Sequence, residues 1–203
     1  MPRYIGIEDH TSAPRYAQPV LEFAILGFLF EARQYGYDLR KHLAALTGHV
    51  RPIADGTLYP AIKRLVDGGL VLKKQEAGSG AAPRFMLELT PAGREKVRLL
   101  LREPAEVFVT DENHWFCLLA FLRHLDDDPA AQAAVLRRRL AFLTTPASFF
   151  YRDGRPLSAE DVDDPFRRGL LRIARVTSRT ELEWLNATIG DLDARSGHVA
   201  VGN

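Results

Sequence analysis

The stretch Asp55-Gly56-Thr57-Leu58-Tyr59-Pro60-Ala61-Ile62-Lys63-Arg64-Leu65-Val66-Asp67-Gly68-Gly69-Leu70 constrains the fold of this chain more than any other. Leu58, Ala61, Ile62, Leu65 and Val66 recur at helical spacing and predict one inward stripe. Thr57, Tyr59, Pro60, Lys63, Arg64 and Asp67 fall on the opposite flank. Asp55 is the candidate N-cap, and Gly68-Gly69 supplies the stop. A strand-like run, Leu70 to Gln75, follows at once. A second, Arg84 to Leu89, returns after a connection of small, flexible residues, 76–83.

A helix with one polar flank, a tight glycine stop and a basic β-ribbon is the order of a winged helix-turn-helix. Two cations and two hydroxyls on the outer flank suit phosphate oxygens and base edges. Lys63 is the leading candidate for DNA contact. Arg64 has two readings, a base-edge contact or an intramolecular ion pair that holds the wing. Thr57 and Tyr59 fall in the first helical turn, where free backbone N–H groups attract phosphate; Tyr59 could instead pack as core and offer only its hydroxyl. Lys73, Lys74 and Arg84 flank the ribbon and suit adjacent DNA backbone. The preceding helix opens at Tyr35-Gly36-Tyr37 and runs to about Thr47, with Leu39, Leu43 and Leu46 inward. Its Tyr37, Arg40, Lys41 and His42 are phosphate contacts or a solvated face.

Charge supports an anionic partner for the middle of the chain alone. The net charge of +1 conceals −2 over residues 1–32, +7 over 33–102 and −4 over 103–203. No apolar run approaches the ~20 residues of a membrane helix, so no membrane partner is expected. Residues 1–18 lack the apolar core of a secretory signal. Cys117 is the only cysteine, so no intrachain disulfide can form, and a reducing cytoplasm is the expected location.

Several separated pieces resemble the PadR family of transcriptional regulators. They are Gly56-Thr57-Leu58-Tyr59-Pro60-Ala61, then Arg64-Leu65, Gly69-Leu70 and Leu89-Thr90-Pro91-Ala92-Gly93. Tyr35-Gly36-Tyr37-Asp38-Leu39 fits the glycine-tyrosine start that precedes the family's helix-turn-helix. The similarity is strong over roughly residues 20–102. It extends more loosely to about 195 through Glu181-Leu182-Glu183-Trp184-Leu185. The resemblance implies a mainly α fold with a small antiparallel β-wing: an N-terminal winged helix-turn-helix and a C-terminal helical dimerisation domain. Arg84-Phe85-Met86 departs from the Arg/Lys-aromatic-Tyr of family wings, and the tip Gly78-Ser79-Gly80-Ala81-Ala82 carries no cation. A wing that clamps backbone fits better than one that reads bases.

The expected organisation is a flexible arm at 1–19, a DNA-binding domain at 20–103, a helical dimerisation and effector domain at 104–195, and a disordered tail at 196–203. Val20 to Ala32 is apolar on nearly all sides, so a second subunit could cover a face carrying Leu21 and Phe28. Thr90 caps a helix from Pro91 to about Arg102. Helices are predicted at Asp111–Leu125, at Pro129–Leu143 behind the acidic run 126–128, and from Asp164 or Pro165 to about Ala194. Leu182, Leu185, Ile189 and Leu192 repeat at steps of three, four and three, a seam suited to an intersubunit bundle.

Family members often answer to small molecules, some aromatic, bound between the two domains. Trp115, Phe116, Phe149, Phe150 and Tyr151 are the candidate rings for such an effector, although rings at those positions also make ordinary core. No catalytic or metal-ligand spacing stands out, so neither an enzyme nor a cofactor is expected. Cys117 sits in the apolar run 115–121 and reads as core. The expected function is a homodimeric, sequence-specific regulator of transcription, a repressor, bound to double-stranded DNA. The competing reading is a winged-helix protein-interaction module whose Lys63/Arg64 face docks an acidic protein.

Overall fold

The computed structural model describes residues 17–46, 54–76, 84–146, 151–152 and 155–201. Most of the N-terminal arm, the turn before the central helix, the wing tip, and Phe149 and Phe150 lie outside those residues. The chain divides into two compact units, Met1–Val97 and Arg98–Asn203, a division six residues before the boundary drawn from the sequence.

The first unit holds α1 (Ala17–Glu31), β1 (Gln34–Tyr35), α2 (Gly36–Leu46), α3 (Asp55–Asp67), β2 (Val71–Glu76), β3 (Arg84–Leu89) and the start of α4 (Pro91–Arg102). The strands form one antiparallel sheet in the order β1-β3-β2. Strand β2 pairs with β3 from Val71↔Leu89 to Glu76↔Arg84, and β1 adds Gln34↔Leu87 and Tyr35↔Met86. The core is Phe23, Ile25, Leu26 and Leu29 of α1, Leu39 and Leu43 of α2, Leu58, Ala61, Ile62 and Leu65 of α3, and Val71, Leu87 and Leu89 of the sheet. Each of these positions belongs to the apolar stripe of its element, so the 3.6-residue and two-residue periods meet around one interior.

Two details depart from the sequence expectation. Tyr35 was expected to open α2, yet it lies in β1, a strand of two residues. A run that short has no period of its own and is defined by its partner β3. Asp55 is not the N-cap of α3. Ala54 is, without a side-chain cap, and Asp55 is the first helical residue, its carboxylate 2.7 Å from Arg40. Negative charge in a first turn is favoured by the helix dipole in either role.

The stop of α3 follows its glycines closely. Gly69 takes φ +69°, and Gly69 N–H donates to Val66 O and Leu70 N–H to Leu65 O at 2.9 and 3.0 Å. That pair of bonds is the Schellman arrangement, and the left-handed residue it needs is cheapest as glycine. Thr90 then joins three elements. Its hydroxyl donates to Gly69 O at 2.8 Å and accepts from Gly93 N–H at 2.9 Å, and its own N–H donates to Leu70 O at 3.1 Å.

The second unit holds α5 (Val107–Thr110), α6 (Glu112–Phe121), a 3-10 turn (Leu122–Leu125), α7 (Pro129–Thr144), a hairpin of β4 (Tyr151–Arg152) and β5 (Arg155–Pro156), and α8 (Pro165–Val201). Asp128 caps α7, accepting from Ala131 N–H at 3.0 Å, and Asp111 caps α6 in the same way through His114 N–H. Trp115, Leu118, Phe121, Leu125, Leu136, Leu171 and Leu185 are fully buried. Arg139 is buried among them at 4% exposure. Its Nε and Nη2 donate to the two oxygens of Glu181 at 2.8 and 3.1 Å, and Nη1 donates to Val109 O at 2.9 Å. One guanidinium therefore ties α5, α7 and α8.

The seam expected between subunits lies inside this unit. Leu185, Ile189 and Leu192 are buried within their own chain, and Leu182 is half-buried. Helix α8 packs along α7, an arrangement held by Arg139–Glu181 and by Arg137–Asp193 at 2.6 Å. Helical periodicity identifies a buried stripe without naming the partner that buries it. Helix α8 also runs to Val201, past the Ser196 at which a tail was expected. Among the described residues no helix is long and apolar enough to cross a membrane.

Candidate nucleic-acid interface

Helix α3 presents the two faces its sequence requires. Leu58, Ala61, Ile62 and Leu65 are buried, and Thr57, Tyr59, Pro60, Lys63, Arg64 and Asp67 are exposed. Tyr59 is 52% exposed, so it is not a core ring of the helix-turn-helix. The helix begins without a side-chain cap. Thr57 N–H already donates to Ala54 O at 2.9 Å, so what this turn offers an anion is chiefly the positive end of the helix dipole. Pro60, the sixth residue of α3, has no N–H and cannot bond to Gly56 O in the normal pattern, which loosens the same turn.

The flanking elements add polar groups. On α2, Tyr37 is 63% exposed, and Lys41 Nζ lies 4.3 Å from its ring centroid. On the wing, Lys73 Nζ lies 4.1 Å from the ring centroid of Phe85, an exposed side chain of β3. Arg84 is exposed at the other end of the β2–β3 pairing, opposite Glu76. The start of α2, the flank of α3 and the wing enclose a groove of about 840 Å³, to which Tyr37, Tyr59, Lys63, Lys73 and Arg84 all contribute. Five candidates chosen from separate parts of the sequence therefore converge on one concavity.

Four cations of α2, α3 and the wing are already partnered, and of these Lys63 lines the groove. Arg64 Nε donates to Glu22 of α1 at 2.7 Å, Lys63 to Asp67 at 2.6 Å, Lys74 to Glu88 across the wing at 2.8 Å, and Arg40 to Asp55 at 2.7 Å. The ion pair weighed for Arg64 exists, and it ties α3 to α1 rather than holding the wing. Beside Lys74, the Glu88 carboxyl is held below the usual glutamate range by that ammonium's hydrogen bond.

The sequence reading missed Tyr35 and Phe85. The Tyr35 hydroxyl donates to Glu76 Oε2 at 2.6 Å, which fastens β1 to the outer wing strand and raises the hydroxyl above its ordinary pKa. An aromatic residue beside Gly36 was the available signal, but it was assigned to the wrong element.

The remaining candidates separate. Leu21 and Phe28 are half-buried on α1, and the Phe28 ring centroid is 5.6 Å from that of His42. Trp115 is fully buried while its neighbour Phe116 is 49% exposed, so one ring faces the core and the other solvent. Tyr151 is half-buried in the β4–β5 hairpin. Among the described residues no group of three or more His, Cys, Asp and Glu side chains is placed to hold a metal ion. Burial pushes the Cys117 thiol up to about 12, leaving almost no thiolate near neutral pH. Native protein is therefore expected to resist a thiol-specific disulfide reagent that labels the denatured chain at once. Prompt labelling of the folded protein would place this side chain at the surface.

Comparison with known proteins agrees with the first unit. Residues 25–99 match the family described as Transcriptional regulator PadR-like. The negative transcriptional regulator PadR of Bacillus subtilis is 27% identical over 95 residues, 46% of this chain and 52% of that protein. The chain thus spans about half the length of this curated relative. Among solved structures, Bacillus subtilis PadR in complex with operator DNA is 23% identical, with a TM-score of 0.39, over 85% of this chain and 99% of that one. The circadian clock associated protein Pex from Anabaena is 29% identical, with a TM-score of 0.35, over 40% and 75% of the respective chains.

Proposed function

We propose, from the premise that residues 25–99 belong to the PadR-like family of transcriptional regulators, that this chain binds specific duplex DNA and represses transcription in the cytoplasm. The observation that carries the reading is the solvent-facing flank of α3, where Thr57, Tyr59, Lys63 and Arg64 stand beside a basic wing. Helix α3 enters the major groove. Lys63 and Arg64 meet phosphates or base edges, and Lys73, Lys74 and Arg84 lie along the neighbouring backbone.

The regulator works as a homodimer. Support comes from α8, where Phe166, Leu170, Ile173, Val176 and Trp184 fall on one face and are 85, 50, 68, 68 and 42% exposed. An apolar helix stripe of this kind calls for a partner. A twofold dimer reads an inverted repeat with half-site centres about one helical turn, ~10 bp, apart. Ile173→Glu is expected to convert dimer to monomer in sedimentation experiments while helix content is kept. An unchanged sedimentation coefficient would exclude this face as the subunit contact.

Lys63→Ala is expected to weaken operator binding several-fold with the melting temperature unaltered. Operator affinity should also fall steeply with salt, with a log–log slope of about −0.9 per phosphate neutralised. Selection of bound sequences from random duplexes by the purified protein is the direct test. Recovery of no preferred site, together with a flat salt titration, would favour the protein-interaction alternative.

A further inference from the structure

Four acidic residues of the first unit lie against cations of the elements that would face DNA. Residues 33–102 contain six carboxylates, and three of them, Asp55, Asp67 and Glu88, each sit within 2.8 Å of a cation on the DNA-facing elements. A fourth, Glu22, reaches Arg64 from α1, 42 positions away in sequence, at 2.7 Å. Three of the four pairs join different elements or strands: α1 to α3, α2 to α3, and β2 to β3. Four of the cations that would hold DNA, Arg40, Lys63, Arg64 and Lys74, therefore carry a competitor for the phosphate.

We propose that Glu22, Asp55, Asp67 and Glu88 are specificity-determining residues that occupy the DNA-binding cations until a matching duplex displaces them. The inference rests on the DNA-binding reading above. Its physical basis is the different range of the two interactions. Non-specific complexes are held by the protein's long-range field on a polyanion. A cation with a carboxylate beside it acts at a distance as a dipole, whose potential falls off faster than that of an isolated charge, and salt screens the remainder within about 8–10 Å. At contact the balance changes. A phosphate or guanine edge at hydrogen-bonding distance competes with the carboxylate on equal terms, because charge-assisted bonds of either kind are short and strong.

Exposed pairs of this sort are loosely held, so exchange is rapid. The carboxylates therefore subtract more from non-specific than from specific affinity, and they widen the ratio between the two, which governs site occupancy on a genome.

The test compares the full-length protein with Glu22→Gln, Asp67→Asn and Glu88→Gln, singly and combined. Each protein is titrated with a selected operator duplex and with a scrambled duplex of equal length and composition, over a range of salt. The single substitutions are expected to raise affinity for scrambled duplex at least threefold and for operator less than twofold. Combined, they should reduce the specificity ratio at least tenfold and steepen the salt dependence on scrambled DNA. Melting curves confirm that each variant is folded.

A double-mutant cycle adds a readout that a purely structural role would not move. Asp67→Asn should have a clearly smaller effect on scrambled-duplex binding once Lys63 is alanine, because the part of its effect that acts through that ammonium is gone and only its contribution to the general field remains. Equal gains on both duplexes, no gain on either, or an undiminished effect of Asp67→Asn in the Lys63→Ala background would each overturn the inference while leaving DNA binding intact. A parent protein that prefers no duplex at all would overturn the DNA-binding reading, and this inference with it.

Discussion

Gly93→Ala is expected to lower the stability of the first unit by about 3 kcal/mol or more, as overpacking against rigid backbone does. A Cβ at this position would stand well inside contact distance of the Leu70 carbonyl oxygen, 3.1 Å from its carbon and 2.8 Å from Leu89 Cδ2. Two of those three atoms are backbone, and they are held. Leu70 O accepts from Thr90 N–H, and Leu70 N–H is committed to the Schellman bond with Leu65 O. Neither can retreat without breaking the stop of α3 or the cap of α4. At about 4–8 °C per kcal/mol for a unit of this size, the transition of the first unit should fall by more than ~10 °C in a thermal melt followed by circular dichroism. Gly56→Ala is the control. Nothing lies within 4 Å of its Cβ, and alanine's helix propensity, about 1 kcal/mol better, makes it neutral or stabilising. If Gly93→Ala protein melted with the parent, the packing of α4 on the α3–β2 corner described above would be wrong. The same corner sets the angle between α3 and the wing, so any surviving Gly93→Ala protein should also bind duplex more weakly.

Arg139→Ala is expected to cost the second unit about 3 kcal/mol or more, since it strands a partner charge away from water. The Glu181 side chain is only 15% exposed and would lose both of its guanidinium bonds, and Val109 O would lose its donor. The guanidinium also lies 5.3 Å from the Trp115 ring and 5.4 Å from that of Phe142, so its removal opens a gap between rings. Replacing both members, Arg139→Met with Glu181→Leu, should recover most of the loss, because filling the site with apolar side chains removes the unpaired charge. Urea denaturation of the two single variants and the double variant checks this. An Arg139→Ala midpoint equal to the parent's would mean that the charge pair is solvated and idle. The expected loss has a functional consequence, since α8 carries both Glu181 and the exposed stripe from Phe166 to Trp184.

Legibility from sequence varied with the range of the interaction involved. The two faces of α3, the Thr90 cap, the strand Arg84–Leu89 and the start of α8 at Pro165 all follow from local periodicity, capping chemistry and turn residues. Five of the candidates for DNA contact, Tyr37, Tyr59, Lys63, Lys73 and Arg84, line one groove, because local patterning assigns a side chain to solvent without knowledge of the rest of the fold. Reasoning from sequence failed wherever a partner had to be named. It placed Tyr35 in a helix although β3 recruits it as a strand. It left Arg64 between two roles and could not name Glu22, 42 positions away, as the carboxylate that pairs with it. It assigned Leu185, Ile189 and Leu192 to a second subunit although α7 of the same chain covers them.

What the chain's order of residues determined by itself was a winged helix-turn-helix with an exposed cationic flank, because helix period, glycine stop and alternating ribbon are each written within a few consecutive positions. What only the tertiary structure decided was the occupancy of each surface: which carboxylate answers each cation, why position 93 tolerates no Cβ, and which face of α8 stays uncovered. Those outcomes depend on groups that are distant along the chain and meet only after folding, so no local pattern encodes them.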